Sequence, residues 1–267
     1  MAKKIAFNWA WGRAKEIFPT WRDGLRTAIE IIAQTHDVDW VLGEEPEDKY
    51  DFILVWGADN APVLQRKYSC PVGLCYGSTF PPNVDNLRNI SVIYVENMIT
   101  YGLARQAGLR TIKAFGTDTD FFSPKRCKKD IEYFFPATFS PWKKQSSIAY
   151  LGDRLLCVGE VQPDGGEEYR ACFNKGVQLI PENVSSEKVR DFYRRSEKVI
   201  IPARYGSERT VLEAMSNNIL PEIMVENDRA IIYVQEFIDS HMKSPRAFVK
   251  KYYSAKVYAD QLMKGME

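Results

Sequence analysis

Lys198-Val-Ile-Ile-Pro-Ala-Arg-Tyr-Gly-Ser-Glu-Arg-Thr-Val-Leu-Glu-Ala-Met215 decides how the rest of the chain is read. The apolar run Lys198–Pro202 predicts a strand buried in a parallel sheet, where both faces are covered and the alternation of polar and apolar residues disappears. Gly206-Ser207 predicts a tight turn. Val211, Leu212, Ala214 and Met215 then recur at helical spacing. The first N–H groups of a helix have no partner inside it, so a strand, a glycine turn and a helix N-terminus together suit an anion such as a diphosphate. Glu213 falls about a turn and a half into that helix, where a carboxylate can accept from a pair of sugar hydroxyls. Glu208, Arg209 and Thr210 add polar groups at the mouth. The same stretch also reads as an ordinary strand–turn–helix with Glu213 solvated, and the remaining sequence has to choose between the two.

The 267 residues suffice for one large domain or two small ones. With 45% hydrophobic and 27% charged residues, the composition is that of a folded, soluble protein. A formal net charge of +1 excludes a global basic field for nucleic acid or an anionic membrane and leaves a local basic face open. The five cysteines are scattered without a C-x-x-C, and the two histidines, His36 and His241, lie far from them. A zinc site or disulfide framework is therefore not expected, and neither is a hydrolase triad. The start of the chain runs straight into a strand with no signal-like apolar stretch, and no run is long enough to span a bilayer. A cytoplasmic location is expected.

Taken in order, strands are predicted at 4–9, 36–42, 50–56, 71–76, 90–95 and 111–115, with helices at 20–35 and at 97–107, the latter stopped by Gly108. After a turn-rich phrase, Gly116–Pro124, and a basic run, Lys125-Arg-Cys-Lys-Lys129, a second unit of the same rhythm begins. Its strands are predicted at 131–135, 154–158, 176–180, 199–201 and 220–225. Its helices are predicted from 140, at 167–173, at 185–195 and over 245–266. Strands alternating with helices imply parallel sheets that bind ligands beyond the carboxyl ends of their strands.

Four phrases in this order resemble the glycosyltransferase family 4 group, retaining enzymes of the GT-B fold. Phe115-Gly-Thr-Asp-Thr-Asp-Phe-Phe-Ser-Pro124 is similar to the family's interdomain phrase. Phe139-Ser-Pro-Trp-Lys143 is similar to the start of its donor domain, Val189–Pro202 to its "l-Y-r-x-A-d-v-f-v-x-P" segment, and Thr210-Val-Leu-Glu-Ala-Met215 to the helix of E-x7-E. The resemblance covers most of residues 90–267. It implies a short GT-B variant: two facing Rossmann-like domains, 1–122 on the acceptor side and 123–267 for the nucleotide-sugar donor, with 244–267 as a helix crossing back.

The implied activity is transfer of a hexose, with retention, to an acceptor hydroxyl. The donor is a nucleotide-sugar, a UDP-sugar such as UDP-glucose in preference to a GDP-sugar. No cofactor or metal is expected, because no D-x-D stands in a context suited to a metal-held diphosphate: Asp118-x-Asp120 lies in the linker phrase and reads as turn chemistry. By position, the resemblance makes Lys143 the lysine at the donor diphosphate and Glu213 the acceptor from the ribose. It makes Tyr205, Gly206, Ser207, Glu208, Arg209 and Thr210 the phosphate and sugar loop, and Ile180 and Pro181 the grip on the base. Gly12 would face the donor from the first domain, or is a plain turn glycine.

Two positions depart from the pattern. Tyr205 stands at the first glutamate of E-x7-E, and Thr138 at the arginine paired with the lysine. Glu208 and Arg209 are the candidate replacements, which with Lys143 complete the expected catalytic set. On the acceptor side Trp9, Trp11, Arg13, Ser78 and Thr79 are candidates, the tryptophans either stacking on sugar or bases or filling a core. The acceptor is expected to be a glycan, a lipid-linked sugar or a nucleic-acid base. Two alternatives stay open. In one the enzyme glycosylates a modified base of DNA or RNA, with Lys125–Lys129, Arg22 and Arg26 tracking phosphates. In the other the protein binds a nucleotide-sugar without catalysis.

Overall fold

A computed structural model describes residues 2–9, 13–47, 49–57, 61–76, 84–224 and 227–267. The chain divides into two units, Met1–Gly116 with Tyr253–Glu267, and Thr117–Tyr252.

The first unit holds six parallel strands, β1 (Lys4–Trp9), β2 (Asp37–Leu42), β3 (Phe52–Trp56), β4 (Val72–Tyr76), β5 (Val92–Val95) and β6 (Thr111–Lys113), in the order β2-β1-β3-β4-β5-β6. Between them lie α1 (Ala14–Ile17), α2 (Gly24–Ile32), α3 (Ala61–Lys67), α4 (Val84–Leu87) and α5 (Met98–Gln106). Because strand side chains alternate between faces, Ile5, Phe7, Trp9, Phe52 and Leu54 enter one core with α2, while Ala6, Ile53 and Val55 enter another with α3 and α5. Helix starts follow cap chemistry. Asp23 accepts from the Arg26 N–H at 2.9 Å ahead of α2, and Asn97 accepts from the Thr100 N–H at 2.9 Å ahead of α5. Gly108, at φ +78°, supplies the expected stop.

The second unit holds β7 (Ile131–Pro136), β8 (Leu155–Val158), β9 (Gln178–Ile180), β10 (Ser196–Ile201) and β11 (Glu222–Ile223), parallel in the order β11-β10-β7-β8-β9. Its helices are α6 (Gly166–Asn174), α7 (Ser186–Arg195), α8 (Glu208–Ser216), α9 (Asp228–Asp239) and α10 (Pro245–Tyr252). The helix predicted from Ser140 is instead a turn followed by a 3₁₀ stretch, Gln145–Arg154, interrupted at Gly152. The left-handed Lys144 (φ 52°) breaks the turn and prevents a regular helix. Only Glu222 and Ile223 of the strand predicted at 220–225 pair with β10, and Val225 lies outside the described residues. The linker aspartate behaves as a turn residue: Asp118 Oδ1 accepts from the N–H groups of Asp120 and Phe121 at 3.1 and 2.9 Å.

The single helix predicted over 245–266 is two. After α10 the chain is broken at Tyr253-Ser254. Ser254 is extended (φ −67°, ψ 157°) and starts α11 (Ala255–Met266) by accepting from the Val257 N–H. The break lets the chain return to the first unit, where α11 packs on α2. Tyr94, buried in β5, donates its hydroxyl to the Leu262 carbonyl at 2.7 Å, and Lys113 donates to the Tyr253 hydroxyl at 2.7 Å.

Gly265 is where α11 comes nearest to the sheet, since a Cβ there would fall 2.3 Å from Tyr94 Oη. Gly265→Ala should therefore destabilise the protein by about 1–3 kcal/mol through overpacking, read by urea unfolding. A cost below about 0.5 kcal/mol, the range of an ordinary surface change, would contradict this packing.

Candidate functional site

In the second unit β8 and β9 follow β7 on one side, and the chain then crosses to lay β10 on the other. The ends of β7 and β10 are thus the switch point of the sheet, where loops diverge and leave a crevice. The two loops concerned carry most of the donor residues expected from the sequence. The Arg204 N–H donates to the Trp142 carbonyl at 2.8 Å, and the Trp142 and Tyr205 rings lie 5.8 Å apart. Lys143 Nζ donates to the Tyr205 carbonyl at 3.3 Å and to Ser207 Oγ at 3.0 Å. Lys143 therefore brackets Gly206 and brings its charge to the start of α8.

The turn itself is unusual. Gly206 and Ser207 both have positive φ, 71° and 74°. Glycine takes this conformation freely, whereas it costs serine about 1–2 kcal/mol. The hydrogen bond from Lys143 to Ser207 Oγ offsets part of that cost. A second donor holds the same turn from below: Asn227 Nδ2 donates to the carbonyls of Ala203 and Gly206, both at 2.9 Å, while its Oδ1 accepts from the Ala230 N–H and caps α9. The first bond within α8 runs from the Val211 N–H to the Ser207 carbonyl, and Ser207 makes no side-chain cap. The positive end of the helix dipole thus coincides with the Lys143 ammonium.

On α8, Glu208, Thr210 and Glu213 are buried at 5%, 7% and 6% exposure, and Arg209 is half-buried. Glu213 is not a solvated helix residue. Its Oε2 accepts from the hydroxyl of Tyr193 at 3.1 Å. Tyr193 projects from α7, wholly buried, with its ring edge-on to Phe134 at 5.1 Å. Burial, reinforced by the Glu213 carboxylate, holds the Tyr193 hydroxyl protonated well above the ordinary tyrosine range.

The loop after β7 is gripped on its other side. Gln145 Nε2 donates to the Thr138 carbonyl at 2.8 Å, and the Phe139 N–H donates to the Glu160 carbonyl at 2.8 Å. Gly165 lies so close that a Cβ would sit 1.9 Å from the Phe139 carbonyl oxygen. Ile180 ends edge strand β9 at the same carboxyl end of the sheet and Pro181 follows it, with β8 between β9 and β7.

The acceptor-side candidates belong to the first unit. Trp9 is buried at 5% exposure, its ring 4.9 Å from Trp21 and 4.7 Å from Trp56, so it fills the core. Arg13 is exposed and pairs with Glu16 at 3.5 Å. Gly12, Trp11, Ser78 and Thr79 lie outside the described residues.

No protein-family model matches the chain, and no curated protein matches its sequence. Solved structures do match. AviGT4, a glycosyltransferase involved in avilamycin A biosynthesis, is similar over 99% of this chain and 97% of its own, with a TM-score of 0.67 at 12% identity. Trehalose-6-phosphate synthase, a subject of work on glycosyl transfer with retention, is similar over 91% and 78%, with a TM-score of 0.59 at 10% identity. TarM of S. aureus, in complex with fondaparinux, alpha-GlcNAc-glycerol and UDP, is similar over 81% of this chain and 55% of its own, with a TM-score of 0.60 at 12% identity. The fold is GT-B.

Within this GT-B chain, sequence reasoning assigned no role to Tyr193, Asn227 or Gln145. Asn227 had a signal, since an asparagine just ahead of apolar residues at helical spacing is an N-cap pattern. Tyr193 lies within the quoted phrase Val189–Pro202, but its partner stands 20 positions away.

Asn227→Ala should remove both the cap and the two carbonyl contacts, costing about 2–4 kcal/mol. Asn227→Ser, which keeps a cap acceptor and loses only the amide donors, should cost less. Equal urea-unfolding losses would mean that the cap contributes nothing. For Tyr193 the sign is set by its raised value. Its contribution is whole below pH 10, where an unfolded tyrosine begins to ionise, and declines as pH rises further, because the unfolded state loses the proton first. Tyr193→Phe should flatten the alkaline fall of stability by up to one proton, about 1.4 kcal/mol per pH unit.

Proposed function

We propose that this chain is a retaining glycosyltransferase of the family 4 kind that moves a hexose from a UDP-sugar to an acceptor hydroxyl without a metal. The observation that carries the reading is Lys143 held against the first turn of α8, with Glu213 fixed on the same helix by Tyr193. An ammonium and a helix N-terminus are what a departing diphosphate needs, because negative charge grows on its bridging oxygen as the sugar leaves. Glu213, turned by Tyr193, offers an oriented carboxylate to two ribose hydroxyls. Gly206 to Thr210 line the phosphate and sugar position, with Glu208 and Arg209 in place of the groups that Tyr205 and Thr138 do not supply. Ile180 and Pro181, at the end of β9, are the proposed edge for the base.

In the proposed step the bond from the anomeric carbon to the leaving phosphate oxygen breaks. The acceptor oxygen bonds to the same face of that carbon, and its proton passes to the leaving phosphate. No side-chain base is required. Retention is supported by the likeness to trehalose-6-phosphate synthase, and a uridine donor by the likeness to TarM with UDP. The proposed acceptor is a glycan, a lipid-linked sugar or a nucleic-acid base. Among the described residues no helix is long and apolar enough to cross a membrane.

Thermal-shift measurements with UDP, GDP, ADP and their sugar conjugates test the donor. UDP at a hundred times its dissociation constant should add about 2.7 kcal/mol. The shift should be lost in Glu213→Ala and reduced in Tyr193→Phe. Lys143→Ala should lower kcat by about 10²–10³, the range for removing one charge-stabilising donor. A shift with GDP alone would reassign the base, and no shift with any nucleotide would overturn the reading.

A further inference from the structure

The basic run after the linker is left over from the donor site, and the structure gives it a setting. Residues 124–130 are exposed throughout. Cys127 donates to the Arg194 carbonyl at 3.1 Å and Lys129 to the Ser196 carbonyl at 2.7 Å, so these alternate residues are tied to the end of α7. Arg126 and Lys128, between and beside them, are left on the outward side. Neither they nor Lys125 make an ion pair among the described residues.

The positive surface continues on both flanks. Arg195 is held by Asp130 at 2.8 Å. Arg194 donates to the Ser123 carbonyl at 2.9 Å, and Arg190 lies 4.7 Å over the ring of Phe121. Lys250 then reaches Asp120 at 3.8 Å, with Lys251 beside it over Tyr252. Contacts thus link one belt in which cations far outnumber the carboxylates Asp120, Asp130 and Asp191. A formal charge of +1 for the whole chain hides it, because acidic residues such as Glu160, Glu167 and Glu168 lie elsewhere in the same unit.

We propose that this belt is a binding surface for the phosphodiester backbone of a nucleic acid. Charge selects a polyanion. The shortage of exposed apolar groups argues for a nucleic acid over a bilayer: of the large apolar side chains that are well exposed, only Tyr252, at 41%, belongs to the belt. Arginine and lysine side chains on an extended, exposed segment contact phosphates without reading bases, so binding is independent of sequence. The belt lies where β7 and β10 begin, whereas Lys143 and Ser207 lie beyond their carboxyl ends. The six-residue strands separate the two by about 20 Å. The belt therefore holds a polymer away from the chemistry, and its binding needs no nucleotide-sugar.

Fluorescence anisotropy of the full chain with labelled single-stranded and duplex oligonucleotides of two unrelated sequences tests this. Binding should be equal for the two sequences and should weaken steeply between about 50 and 200 mM salt. Arg126→Gln with Lys128→Gln should weaken duplex binding roughly tenfold and reduce the slope of log affinity against log salt by about 1.8. Arg66→Gln with Lys264→Gln, the same charge change in the first unit, should leave both unchanged. The proposal is overturned by absent oligonucleotide binding at low salt, or by equal losses in the two double variants. It is also overturned by co-sedimentation with phosphatidylserine vesicles in the absence of oligonucleotide binding.

Discussion

The amine of Lys143 is the fastening on which the second unit's binding edge depends. It joins the loop after β7 to the loop after β10, bonding the Tyr205 carbonyl and Ser207 Oγ on either side of Gly206. Together with the Arg204 N–H on the Trp142 carbonyl, this tie keeps two loops that diverge at a switch point at a fixed distance. Without it, a serine at positive φ has little reason to stay there. Asn227 completes the arrangement from the opposite side. The carbonyls of this turn are thus drawn toward side-chain donors. The group proposed to meet the leaving phosphate also shapes the place where the phosphate would sit.

Glu213 shows the same economy. Its carboxylate is almost wholly buried, and a buried charge is costly unless it is hydrogen-bonded. Tyr193 supplies that bond and is itself fixed by aromatic packing against Phe134 and Phe122. The orientation of Glu213 is therefore set by the hydrophobic core rather than by solvent.

Much of this fold was legible because parallel strands buried on both faces announce themselves as apolar runs, and because caps are local chemistry. Gly108 and Asp118 did what their residue types predict. The turn at Gly206 and the start of α8 were readable for the same reason. What escaped was non-local or conditional. Lys143 could be placed beside residues 205–207 only through the family resemblance, since they meet across more than 60 positions. The break at Tyr253-Ser254 was hidden because apolar spacing continues through it, and only the cap by Ser254 betrays it. Helix α9 was overlooked because Ile231 and Ile238 on its outer side are exposed and blur the stripe. Trp9 illustrates the opposite case: a tryptophan at the carboxyl end of a strand has two destinations, and only packing with Trp21 and Trp56 distinguishes them.

The return of α11 has a consequence for the order in which the protein is made. Tyr94 and Leu262, which it joins, are 168 positions apart. The second unit lies as an insertion within the first, so it is complete in the nascent chain before its host can close. During synthesis the face that α2 shares with α11 stays only partly covered until α11 leaves the ribosome, and the apolar surface still open there is where a chaperone would have its opportunity.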